Sequence, residues 1–224
     1  MSITARTPEA AYSASANNLT CNVPAGTTNG DFMLAHIVLV GKTLATATGW
    51  TLVSSYVVGG TNTNYYVYCR IASSEPANYN FTFSDTCHCR VVIGSFLVAN
   101  LNTASPVAAF SAGVDGWSGA GDAICSTIYT PPYPGMDSIF VVGMYDSGGV
   151  TFGPAVSTGG AWTEVYDAGD TDSDIYTCID TYVNPESGTM TVSCNKSDTD
   201  NSVRCAFAVA LSVPKIASGI VMMF

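Results

Sequence analysis

Charge is scarce in this sequence. Asp, Glu, Lys and Arg together make up 11% of the 224 residues, 7 basic against 17 acidic, for a formal net charge of −10. So acidic a chain repels phosphate backbones and has no basic face for an anionic bilayer, which argues against nucleic-acid and membrane partners. Histidine is rarer still, at two. His36 lies inside the apolar run FMLAHIVLV and His88 inside DTCHCRVV. Neither has a Ser or Cys partner with an orienting acid at motif spacing. The G-x-S-x-G, P-loop and dinucleotide fingerprints are missing as well, so the chain reads as a non-enzyme. Long apolar runs are lacking: FMLAHIVLVG and CAFAVALSV have strand length and are too short to span a bilayer. The opening MSITARTPEAAYSASANN has no basic segment leading into an apolar one, so synthesis without secretory export is expected.

Helical periodicity is also absent. Short apolar or alternating runs rich in Val, Ile, Tyr, Phe and Thr recur instead, punctuated by Gly, Ser, Asn and Asp. They predict an all-β fold of antiparallel sandwiches, jelly-roll or immunoglobulin-like. The runs come twice. ATGWTLVSSYVVGG returns as GGAWTEVYDAGD, YCRIASSEPANYNFTFS as TCIDTYVNPESGTMTVS, and HCRVVIGSFLV as VRCAFAVALSV, at offsets of 109 to 116 residues. An internal duplication is expected. It gives an N-terminal arm over 1–16, a first sandwich over 17–112, a second over 113–214 and an apolar tail over 215–224.

The segments VPAGTTNGDFMLAHIVLVG, GWTLV, RIASSEPANYNFTF and AWTEVYDAG resemble a family of tandem β-sandwich repeats found in phage virion proteins and in bacterial surface or exported proteins. The resemblance covers roughly 17–214 and rests on turn and core signatures. It implies the sandwich fold and, more loosely, a structural or adhesive role.

The eight cysteines fall into two sets of four, Cys21, Cys69, Cys87 and Cys89, then Cys125, Cys178, Cys194 and Cys205. No C-x2-C ligand pair exists in either set, which argues against zinc. Cys87 and Cys89 are two apart on an expected strand, so they share a face that His88 does not. Four cysteines per repeat suggest two disulfides in each, with Cys69–Cys89 and Cys178–Cys205 paired and Cys21–Cys87 and Cys125–Cys194 remaining. The competing reading is eight reduced thiols buried as small apolar side chains.

The run DAGDTDSD sets Asp170, Asp172 and Asp174 at alternate positions, and Asp198 or Asp200 of NKSDTDNS could join them around one Ca²⁺. The competing reading is a solvated acidic hairpin, and no other cofactor is implied. Trp50 and Trp162 occupy matching places and read as core plugs rather than glycan platforms, while Trp117 lies between the repeats. The tail ends in Ile220, Val221, Met222, Met223 and Phe224. It either docks into a neighbouring subunit or folds onto its own sandwich. These features together suggest a structural virion protein (capsid decoration, collar or fibre component). It would be made in the host cytoplasm, oxidised after release, and assembled with capsid or other virion proteins as a homo-oligomer, a trimer being favoured. The alternative is a carbohydrate- or surface-binding adhesive module, extracellular or on a cell surface.

Overall fold

The computed structural model describes residues 3–59, 62–115, 124–132, 136–145, 151–157, 160–170, 174–183, 189–195 and 203–212. They form strands and connecting loops with no helix. The first half holds β1 (Ile3–Ala5), β2 (Glu9–Asn22), β3 (Phe32–Val40), β4 (Leu44–Thr46), β5 (Thr51–Val58), β6 (Thr63–Ile71) and β7 (Asn78–Val98). The second holds β8 (Val107–Asp115), β9 (Ile124–Tyr129), β10 (Asp137–Tyr145), β11 (Val156–Ser157), β12 (Gly160–Ala161), β13 (Thr163–Asp170), β14 (Ile175–Val183), β15 (Met190–Asn195) and β16 (Val203–Leu211). Every pairing is antiparallel.

The first sheet is long enough to fold over itself. Its main path runs β1-β7-β3-β6-β5, with β2 and β4 also on β7. β2 and β7 bend together where their register slips between Ser13 and Asn18. Cys21 is in register with Tyr79, yet its thiol donates to the Val91 carbonyl at 3.8 Å. The near half of the ribbon therefore covers the far half. Between them lies one core, with Leu19, Cys21, Phe81 and Phe83 packed on Met33, Ile37, Val91 and Ile93. The second half builds the same arrangement from separate strands. A β13-β14-β10-β16-β8 sheet is covered by a β12-β11-β15-β9 sheet, over a core that includes Phe140, Val142, Trp162 and Val192. The strand order β5-β6-β3-β7 of one inner sheet matches β13-β14-β10-β16 of the other. The register also shifts at matching places, between Leu52 and Ser54 and between Glu164 and Tyr166.

A third core joins the halves. Phe32, Leu34, Val38, Val67, Val92 and Phe96 of the first inner sheet pack on Ile139, Val141, Ile179, Phe207 and Val209 of the second. The described residues thus form four β layers around three cores. This explains why β3 and β10 lack alternation, with eight of nine residues buried in each: both faces of the strand meet apolar neighbours. The outer strand β15, with one face to solvent, alternates as expected.

Two expected boundaries need correction. Residues 1–16 are not a free arm, because β1 pairs with the end of β7 and β2 begins at Glu9. Arg6 completes the attachment, reaching the buried Asp31 carboxylate at 3.3 Å. Nor does the first unit extend to 112, since β8, starting at Val107, pairs with β16 of the second inner sheet. The pairing partner, not the loop composition, decides ownership.

Candidate functional site

A cleft lies between two sheet edges. β5 ends one inner sheet and β8 ends the other. Between them is a cleft of about 890 Å³ lined by the start of each strand, by Cys69–Ile71 of β6 and by residues 103–106. Leu52 and Phe110 stand on its walls with about half of their surface exposed. Thr51, Thr103 and Ser105 add hydroxyls.

Arg70 is the one cation lining the cleft among the described residues, and it is held from behind. Its Nη2 lies 2.9 Å from Glu75 Oε1, and its guanidinium sits 5.8 Å from the Trp50 ring and 5.0 Å from the Tyr79 ring. Glu75 is fixed in turn by the Ser73 amide at 2.6 Å and by the Tyr79 hydroxyl. Gly49, at φ 81, brings the chain within 3.2 Å of Arg70 Nη1, measured from where a Cβ would stand. Trp50 is buried against Tyr79 and Phe81, so it plugs the end of its sandwich as the sequence suggests. Trp162 is buried too, stacked on Tyr182 at 5.0 Å. No described carboxylate or histidine lines the cleft. It offers apolar contact, hydroxyls and one fixed cation rather than acid–base chemistry.

His36 lies away from this opening, in the joint between the halves. It meets Phe207 edge-on at 6.0 Å and fills the space above Gly143. Burial, reinforced by the charge of Arg90, lowers its pKa to about 3, so it is neutral. Arg90 is itself buried and donates to the Tyr166 hydroxyl at 2.7 Å across the same joint.

Two carboxylates of the second half anchor a covering loop. Asp167 accepts from the Phe152 amide at 2.9 Å, and Asp180 from the Ala155 amide at 3.3 Å and the Cys178 thiol at 3.1 Å. Burial pushes both acids up to about 6. Sequence reasoning passed over Asp180, because it is an isolated acid within a strand and nothing local signals its burial.

Cys21, Cys69, Cys87, Cys89, Cys178, Cys194 and Cys205 are buried, and no disulfide is present among the described residues. The pairings Cys69–Cys89 and Cys178–Cys205 need correction. β3 separates Cys69 from Cys89 and β10 separates Cys178 from Cys205, and in each pair the two thiols enter different cores. Cys21, opposite Tyr79, and Cys87, opposite Ala16, sit at different levels of the bent ribbon. Cys125 and Cys194 are in register on neighbouring strands, but the Cys125 side chain lies outside the described residues. Cys87 and Cys89 do share a face, while His88 turns toward Tyr145 at 6.1 Å. Burial raises Cys21 to about 12 and Cys69 to about 11. A hydrogen bond with Cys194 lowers Cys178, but burial and Asp180 outweigh it and leave the thiol at about 12. A hydrogen bond with Cys89 lowers Cys87.

Of the expected Ca²⁺ ligands, Asp170 is described by its backbone alone, closing a hairpin opposite Ile175, and Asp174 follows at φ 53. Asp172, Asp198 and Asp200 lie outside the described residues, as do Trp117 and the tail with Ile220, Val221, Met222, Met223 and Phe224. Among the described residues no three His, Cys, Asp or Glu side chains are placed to hold a metal.

No family model matches the chain, and no curated protein does. Among solved structures it is similar to a β-porphyranase of glycoside hydrolase family 86 from the human gut bacterium Bacteroides plebeius. The identity is 13% and the TM-score 0.31, over 88% of this chain and 33% of that one. A second family 86 structure, solved in complex with neoagarooctaose, gives 11% identity and a TM-score of 0.29, over 94% and 33%. This chain thus spans about a third of each. Likenesses at these scores carry no argument about its activity.

Proposed function

We propose that this chain is a structural, non-catalytic subunit of a phage-like particle, a decoration, collar or fibre component. The observation that carries the reading is the shared core between the inner sheets. Two sandwiches on a loop would hinge, whereas two sandwiches sharing a core form one stiff block, as a part of a particle under mechanical stress requires. In this reading durability comes from that packing rather than from disulfides. The subunit is made in the host cytoplasm and works beside capsid or other virion proteins as a homo-oligomer, with a trimer the favoured symmetry.

Antibody raised to the chain should label intact particles from the native source in electron micrographs. Label confined to cell surfaces or to a soluble secreted fraction would overturn the particle role. One observation favours a second reading, an adhesive module: the cleft exposes Leu52 and Phe110 beside a fixed arginine. Trp50 and Trp162 are buried and offer no platform, so this reading assigns glycan binding to that cleft. Binding on a glycan array that Phe110→Ala abolishes would favour the module.

A further inference from the structure

We infer that the β5–β8 cleft takes a sugar bearing a carboxylate, with the acid held on Arg70 and the ring lying against Phe110. The inference rests on the adhesive reading of the cleft and names its ligand; it holds whether or not the chain belongs to a particle. The first observation is how Arg70 is presented. Glu75 takes its Nη2 at 2.9 Å, and the Trp50 and Tyr79 rings lie 5.8 and 5.0 Å from the guanidinium. A side chain fixed in this way loses little freedom when a ligand arrives. It also has donors to spare. A guanidinium carries five N–H groups, the ion pair uses Nη2, and Nε is buried with no hydrogen-bond partner. Gly49 lines the cleft beside the remaining nitrogen. The place of its missing Cβ is 3.2 Å from Nη1, so any side chain there would stand against that nitrogen. The planar fork of donors matches a carboxylate.

The second observation is what the walls disfavour. Among the described residues that line the cleft, Arg70 alone is charged. An ammonium group would meet no carboxylate there, which argues against amino acids and peptide N-termini. A nucleotide or polyphosphate would bring several negative charges to a single cation, on a chain whose net charge is already −10. An acyl chain would want a continuous apolar wall, yet the exposed Thr51, Thr103 and Ser105 set hydroxyls among the apolar residues.

What fits is a molecule with apolar faces, hydroxylated edges and one negative charge, which describes an acidic sugar. Phe110 and Leu52, 54% and 48% exposed, offer flat apolar contact to the C–H face of a ring. The threonine and serine hydroxyls can donate to and accept from its own hydroxyls, and Arg70 takes the carboxylate. A volume of about 890 Å³ is within the range of small-molecule sites, so a short oligosaccharide has room. The acidic chain repels a polyuronate, so the preferred ligand sets an isolated carboxylate among neutral sugars.

The test is a glycan array probed with the full chain. Glycans bearing one glucuronate, galacturonate or sialate residue each stand beside the same glycan with that carboxyl reduced to an alcohol. Binding should follow the acid, about tenfold stronger than to the reduced partner, as one charge-assisted hydrogen bond provides. Phe110→Ala, at an exposed position, should keep the melt and lose the binding. Gly49→Ala should lose it as well, by setting a methyl against Nη1. Gly41→Ala, at φ 72 with nothing within 4 Å of its Cβ position, carries similar backbone strain and should keep it. Equal binding of acid and reduced forms, abolished by Phe110→Ala, would overturn this inference and leave the adhesive reading standing. Acid-dependent binding that survives both Phe110→Ala and Gly49→Ala would place the site elsewhere and overturn it too. Competition by hexanoate as strong as by free glucuronate would make the cleft an acyl-carboxylate site and refute the sugar. If no glycan binds, the inference and the adhesive reading fail together.

Discussion

Gly143→Ala is the sharpest test of the back-to-back packing. A Cβ at Gly143 would lie 2.5 Å from His36 Cε1, 2.9 Å from Nε2 and 2.9 Å from Val38 Cγ2. Ordinary contact is near 3.5–4 Å, so something must move by about 1 Å. Little can. β3 and β10 are central strands paired on both sides, and His36 is fully enclosed with Phe207 behind it. Overpacking of this kind costs about 1–3 kcal/mol, and the upper half of that range is expected here. For a chain this long that is a fall of roughly 4–10 °C in the melting temperature. Thermal melts should show it, and urea titration should give a lower midpoint with an unchanged slope. Gly59→Ala is the control, since nothing lies within 4 Å of its Cβ position. His36→Ala removes the obstructing ring, so the double variant should recover at least about 1 kcal/mol relative to additivity. If Gly143→Ala and Gly59→Ala melt within a degree of each other, the two inner sheets do not meet in this register.

Further outcomes concern buried ionisable groups. Asp180 has a folded pKa of about 6, above its ordinary 3.8, so the folded state binds the extra proton between about pH 4 and pH 6. Its contribution to stability is present below that window and is lost as pH rises through it. Asp180→Asn should therefore stabilise the protein at pH 7.5 by about 2–3 kcal/mol, with little effect at pH 4; destabilisation at pH 7.5 would show that the ionised carboxylate is preferred. His36 has the opposite sign: its folded value of about 3 lies below 6.5, so stability is present above pH 6.5 and is lost as pH falls toward 3. His36→Ala should lose less stability than wild type between pH 7 and pH 5, as read by urea midpoints. Cys87 should be alkylated before Cys21 and Cys69 in the native state, because its pKa is lowered while burial raises theirs and it is the most exposed of the three. Peptide mapping after a brief iodoacetamide pulse checks this, and equal labelling of Cys21 or Cys69 would refute it.

What the sequence revealed and what it hid divide along physical lines. Period and composition report on a residue's immediate surroundings, so the strands, the two buried tryptophans and the shared face of Cys87 and Cys89 were legible. Disulfide pairing was not. Matching the repeats aligns Cys69 with Cys178 and Cys89 with Cys205 without saying which strand lies between partners, and here β3 and β10 intervene. The arm was misread for a related reason. Small polar residues in β2 suggest a linker, yet as a neighbour of β7 they need only backbone pairing and one lightly packed face. The cleft left no motif at all, since its walls come from β5, β6, β8 and the loop before β8.

The wholly apolar strands carry more information than their length and composition. In a single sandwich an antiparallel strand has one wet face, so FMLAHIVLV, SIFVVGMY and CAFAVAL should each alternate. None does. Such runs in both halves imply that each sandwich has an inner sheet covered on both sides, and the economical cover is the matching sheet of the other half. His36 and Gly143 then become intelligible from sequence alone. A polar ring in one buried strand needs a space on the facing strand, and β10 supplies it by placing glycine where a larger residue would collide. The two halves are matched to one another at single residues, and that matching makes them one block rather than two beads.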